Sequence, residues 1–299
     1  MRLPRSVRSV VLLGAATATL MAVGGGIATA QTHYPVTPSL AGGVAASLAD
    51  PSAPPAGVNI ADCHPSATHP LPVVLVNGTF SNMTDDWSGL GPTLANAGYC
   101  VYDTPIGGNP HSIIQTTGPV ADSATQIASF VQQVKAETGA SKVDLVGHSQ
   151  GGLIAEYYAK VLGGAPNVHT LVGLSPTTHG TDLDGLGSLA TAFPGGRQLV
   201  NAACAACADQ LPGSAVVKAV DDGPIAQPGV DYTIIETHNE TVVTPAGSSF
   251  IKEPGVHNLW VQDYCWFDFV GHASLPYDPT TQSLVENALD PSHPQPVRC

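Results

Sequence analysis

Val143-Asp144-Leu145-Val146-Gly147-His148-Ser149-Gln150-Gly151-Gly152-Leu153-Ile154-Ala155 is the stretch on which the reading of this chain turns. Its first part is a short apolar run that predicts a buried strand, and its last part opens a helical pattern. Between them, Gly147, Ser149 and Gly151 form Gly-x-Ser-x-Gly. Three fixed positions are a weak signal alone. Flanked by strand and helix, they fit a strained turn that presents a serine hydroxyl at the edge of a sheet. The two glycines leave room where side chains would collide. The helix start aims backbone N–H groups and the positive end of its dipole at the same point. Ser149 is therefore the candidate nucleophile. His148 adjoins it, but neighbours in a tight turn point apart, so His148 is not the candidate base.

Working outward, strand and helix signals alternate as in a parallel sheet wrapped by helices. Pro72 to Val76 reads as a buried strand ending at Asn77-Gly78, and Trp87 to Gly98 as a helix. A strand over Cys100 to Tyr102 and a helix over Ala121 to Thr138 follow, the helix closed by Gly139. Beyond Ser149 come a helix over Gly152 to Leu162, strands over Val168 to Leu174, Tyr232 to Glu236 and Val256 to Val261, and a last helix near Thr281 to Leu289. Residues 183–229 break the rhythm and read as an inserted cap of short helices. The fold class is α/β, in one domain over 58–299.

For a serine in such a strand–turn–helix setting of an α/β sheet, the expected chain order is serine, then an acid, then a histidine, both further along the chain. His272 lies in Val270-Gly271-His272-Ala273, after the last strand and before the last helix, and is the candidate base. His257 falls inside the preceding strand and His293 in a Pro-rich tail. Glu240 is the only carboxylate in Thr237 to Pro245, the segment after the Tyr232 to Glu236 strand. It is the candidate acid that fixes the His272 tautomer. Asp263 and Asp268 are too close to the base in sequence to be first choices. Two backbone donors complete an oxyanion site: Gln150, next to the nucleophile, and Thr79, after the first buried strand. The Thr79 hydroxyl is a candidate third donor.

The chain has 299 residues, 43% of them hydrophobic, enough for a sizeable core. Arg2, Arg5 and Arg8, an uncharged apolar run from Val10 to Val23 and Ala28-Thr29-Ala30 predict a signal peptide over 1–30. Residues 31–57, rich in Pro, Ala, Ser and Gly, read as a flexible lead-in. Of ten Lys+Arg, removal of those three leaves seven against 23 Asp+Glu, a net charge of −16. Such a surface repels nucleic acid and anionic membranes. It suits a secreted monomer acting on a neutral ester or lipid, at a lipid–water interface if the cap is a lid. No later stretch reaches transmembrane length.

Cys63, Cys100, Cys204, Cys207, Cys265 and Cys299 make an even count, which in an exported chain suggests three disulfides. Pairing in sequence order is the simplest of fifteen arrangements. Cys204-Ala-Ala-Cys207 has the spacing of half a zinc site but no second ligand pair, so a local disulfide is expected and no metal.

Val76-Asn77-Gly78-Thr79, Gly98-Tyr99-Cys100, Gly147 to Gly152, Leu174-Ser175-Pro176, Thr237 to Pro245, and Cys265 with His272 together resemble the small extracellular lipases of the α/β-hydrolase superfamily. These include the bacterial class 2 lipases and the yeast lipase B type. The resemblance implies an α/β-hydrolase fold and ester hydrolysis without metal or organic cofactor. It also implies Cys63–Cys100 and Cys265–Cys299 pairings. Glu240 stands where the family has Asp, in a frame kept by Val242, Val243 and Pro245, and Asn77 replaces the usual His or Pro. Lipase, short-chain esterase, cutinase-like polyester depolymerase and acyltransferase share this machinery. A catalytically silent secreted binding protein is the reading from another class.

Overall fold

The structure, a computed structural model, describes residues 33–182 and 204–299. The expected signal peptide and residues 183–203 of the expected cap lie outside the described residues.

Six strands form one parallel sheet: β1 (Val73–Val76), β2 (Val101–Tyr102), β3 (Val143–His148), β4 (Val168–Leu174), β5 (Asp231–Glu236) and β6 (Val256–Trp260). Their spatial order is β2-β1-β3-β4-β5-β6. Parallel sheets are covered on both faces, and β1 and β3 are buried at every position. Alternate side chains feed opposite cores. Val74 and Val76 join Leu145, Leu153, Ile154 and Leu171 on one face. Val73 and Leu75 join Trp87, Leu90, Val146 and Val172 on the other.

Between β1 and β4 lie α2 (Met83–Trp87), α3 (Leu90–Ala97), α4 (Val120–Thr138) and α5 (Gln150–Lys160). Helix α4 buries Val120, Ala124, Ile127, Val131 and Val134, a helical stripe, and stops at Gly139 with φ 71°. The helix expected over Trp87 to Gly98 is two helices. The first begins four residues earlier, where the Asn82 side chain accepts from the Thr84 and Asp85 N–H groups and Asp85 reciprocates.

Within the stretch expected to be a flexible lead-in, Leu40–Ala49 form helix α1. Its small residues serve close packing rather than looseness. A Cβ on Gly43 would sit 1.9 Å from the Tyr277 hydroxyl. Ser47 is buried, and its Oγ accepts from Asn82 Nδ2 at 2.6 Å.

The described part of the insertion, 204–229, holds helices α6 (Ala205–Asp209) and α7 (Ala215–Asp221). After β6 come α8 (Val261–Tyr264), a 3-10 helix over His272–Tyr277 and α9 (Pro279–Leu289). Asp278 caps α9 by accepting from the Thr281 N–H at 2.6 Å. Disulfides join Cys63 to Cys100, Cys204 to Cys207 and Cys265 to Cys299. No helix among the described residues is long and apolar enough to cross a membrane.

Candidate active site

The chain leaves β1 toward β2 on one side, then crosses back to β3 on the other. The carboxyl ends of β1 and β3 therefore flank a point where the connections diverge, the position at which open α/β sheets form their sites. Thr79 follows β1 and Ser149 follows β3 at that point.

Ser149 has φ 54° and ψ −124°, a backbone conformation that side-chain-bearing residues rarely adopt. The packing that holds it there is tight. A Cβ on Gly147 would lie 2.5 Å from the Gly151 carbonyl, and one on Gly151 would lie 1.9 Å from the Val76 oxygen. The Ser149 N–H donates to the Leu174 carbonyl at 2.8 Å, and its own carbonyl accepts from Gly152 at 3.0 Å. The turn is thus fixed to β4 on one side and to the first turn of α5 on the other.

Glu240 and His272, 32 residues apart in sequence, meet with His272 Nδ1 2.8 Å from Glu240 Oε2. Both are buried. The Val242 and Val243 N–H groups donate to Glu240 Oε1 at 2.7 and 3.0 Å, so the carboxylate is oriented before it reaches the imidazole. Burial alone would raise its pKa. The hydrogen bond and charge of His272 and the two N–H donors outweigh that and hold it at about 2. His272 is shifted down: burial disfavours its cation, and the opposing pull of Glu240 does not fully compensate. A neutral imidazole with Nδ1–H committed to a carboxylate leaves Nε2 as a proton acceptor.

The two candidate oxyanion donors are braced by amides. The Thr79 hydroxyl donates to Gln150 Oε1 at 2.7 Å and accepts from Gln210 Nε2 at 2.9 Å. In this arrangement the hydroxyl faces the two glutamine side chains. Gln210, just after α6, also accepts from the Thr177 hydroxyl at 3.1 Å, linking the insertion to the loops after β1 and β4. Asn77, where the resembling family has His or Pro, accepts from the Trp87 indole N–H at 2.7 Å.

Sequence reasoning missed Asp86, His148 and Gln210. His148 points inward: its Nδ1 lies 2.7 Å from Asp86 Oδ1 and its Nε2 3.1 Å from the His272 carbonyl. The pairing spans 62 residues, and no local spacing announces it. The residues set aside as base or acid have other partners: His293 pairs with Asp290, and Asp268 accepts from the Val270 N–H within its own turn.

Comparison with known proteins agrees with the architecture. Residues 72–206 match the family model described as the alpha/beta hydrolase fold. Over 113 residues, 36% of this chain, the sequence is 37% identical to a triacylglycerol lipase of Pseudarthrobacter phenanthrenivorans and to one of Burkholderia plantarii. The match spans 33% and 29% of those proteins, about a third of their length. Among solved structures, Aspergillus fumigatus lipase B superimposes with a TM-score of 0.57 at 20% identity, over 76% of this chain and 53% of that one. Bacillus licheniformis lipase BlEst2 in its mature form gives 0.53 at 16% identity, over 76% and 94%. The six-stranded parallel sheet flanked by helices is thus the α/β-hydrolase fold, and over about a third of its length the chain resembles triacylglycerol lipases.

Proposed function

We propose that this chain is a secreted serine hydrolase of carboxylic esters, acting on triacylglycerols or simpler neutral esters. The observation that carries the reading is the buried Glu240–His272 pair, set at the same sheet edge as a serine held at φ 54°. Ser149 attacks the ester carbonyl as His272 Nε2 takes its proton. Glu240 keeps Nδ1–H in place and stabilises the imidazolium that forms. The N–H groups of Gln150 and Thr79 receive the oxyanion, each worth about 3–4 kcal/mol to the transition state. Collapse expels the alcohol, protonated by His272, and leaves an acyl-enzyme on Ser149 that water then cleaves by the same steps. The preference for acylglycerols rests on the triacylglycerol lipases among the similar sequences. Secretion is supported by the leader-like start and three disulfides. The segment 183–229 is the proposed cap.

Labelling with a fluorophosphonate tests the mechanism: the protein reacts at Ser149, and Ser149→Ala abolishes both label and product burst. Full activity in that variant would end the proposal. A rate series over p-nitrophenyl esters of increasing acyl length, beside an emulsified triglyceride, then separates lipase from short-chain esterase.

A further inference from the structure

Both ring nitrogens of His148 face acceptors. Nδ1 meets the Asp86 carboxylate at 2.7 Å and Nε2 meets the His272 backbone carbonyl at 3.1 Å. The backbone carbonyl has no hydrogen to give, and neither has a carboxylate. A neutral imidazole carries one N–H and can serve only one of them, whereas the imidazolium serves both. The other Asp86 oxygen accepts from the Gly78 N–H at 2.7 Å, in the loop that supplies Thr79. One buried pair therefore grips the oxyanion loop with one hand and the backbone of the base with the other. The rings of His148 and His272 have their centroids 4.9 Å apart.

We propose that Asp86 and His148 form a permanently charged positioning pair, with the His148 cation fixing the His272 backbone and keeping the His272 ring unprotonated. The proposal rests on the ester-hydrolase reading for its kinetic part. Two cations cannot comfortably share this space, so a charged His148 makes protonation of His272 harder. The surrounding charges agree. Burial disfavours a charged His148, but the charge and hydrogen bond of Asp86, the His272 carbonyl and the charge of Glu240 outweigh it and raise its pKa. On His272, burial and His148 act downward, against Glu240 and the more distant Asp86. Asp85, the other acid of α2 that His148 senses, is raised to about 7 by burial, with opposing backbone hydrogen bonding from Asn82. Asp103 beyond β2 is also pushed up by burial, so neither competes strongly for the cation. The Trp87 ring stands edge-on to His148 at 6.4 Å and adds no charge.

Two measurements test this. In protein labelled with 15N-histidine, long-range 1H–15N correlation at pH 7 should show both His148 nitrogens protonated while His272 is neutral, with His148 assigned from the His148→Gln spectrum or from the Asp86→Asn shift. A neutral His148 at pH 7 overturns the proposal. This readout needs no turnover, so it stands apart from any failure of the hydrolase reading. In kcat/KM profiles on p-nitrophenyl butyrate, His148→Gln should move the acidic limb to higher pH by about one unit or more, because it leaves Asp86 unbalanced. Asp86→Asn should move it less, with KM nearly unchanged in both. A uniform loss of rate with an unmoved limb in the variants that fold would reduce the pair to ordinary packing and overturn the proposal.

Discussion

Glu156 offers a sharp test of the physics beneath Ser149. It lies on α5, two turns from Ser149, with no exposure to solvent. Its Oε1 accepts from the Thr178 hydroxyl at 2.8 Å, and its Oε2 has no hydrogen-bond partner among the described residues. One neutral hydrogen bond does not replace the hydration of a carboxylate, so burial raises its pKa from 4.5 to about 8. The group is therefore neutral in the folded chain at pH 7 and ionised in the unfolded one. A raised acid contributes fully below its unfolded pKa, and that contribution is lost as pH climbs toward the folded pKa. Between pH 4.5 and 7, roughly 2.5 units, the loss amounts to about 3 kcal/mol. Glu156→Gln keeps the shape and an acceptor for Thr178 but cannot ionise. Urea unfolding from pH 4 to 9 reads the difference. Any packing penalty of the amide is a constant offset. Relative to wild type, the variant should gain about 3 kcal/mol between pH 4.5 and 7 and level off above pH 8. Parallel stability curves would refute the claim that burial keeps this carboxyl neutral.

Three further predictions concern the proposed site and one position away from it. Glu240→Gln removes the acceptor that fixes the His272 tautomer, so kcat should fall by about 10⁴-fold, as for other acid-to-amide triad changes. It should also remove a stabilising contribution that is present above pH 4.5 in wild type and lost toward pH 2, which acid titration of the two proteins reads out. Gly151→Ala drives a methyl into the Val76 carbonyl and should lower kcat by about 10²-fold through displacement of the elbow. Gly163→Ala, in open space at φ 69°, should cost about 1–2 kcal/mol of stability and leave kcat alone.

The elements closest to the decisive turn were the most legible. Val143 to Val146 is continuously apolar apart from Asp144 and lies in a strand, because a central parallel strand is buried on both faces. The order of acid and base follows from the same topology, and the structure sets Glu240 against His272. Legibility failed where small or polar residues are recruited by distant partners. Helix α1 looks like a linker because its alanines and glycines suit close approach to Tyr277 as well as disorder. Local geometry turns His148 away from Ser149, yet Asp86 reaches it from 62 residues away. Burial of a charge pair leaves no periodic trace in composition. The same holds for Gln210, whose bond to Thr79 spans 131 residues.

The sheet order has a consequence for how activity arises during folding. Thr79 follows β1, Ser149 follows β3, Glu240 follows β5, and His272 comes only after β6. No fragment of the sheet holds all four proposed site residues, and parallel pairings between distant segments are slow to assemble. On the proposed mechanism, reactivity of Ser149 toward a fluorophosphonate would act as a clock that starts when the last strand docks. A pulse of the reagent during refolding counts finished molecules, while helix signals and tryptophan burial report the partly built ones.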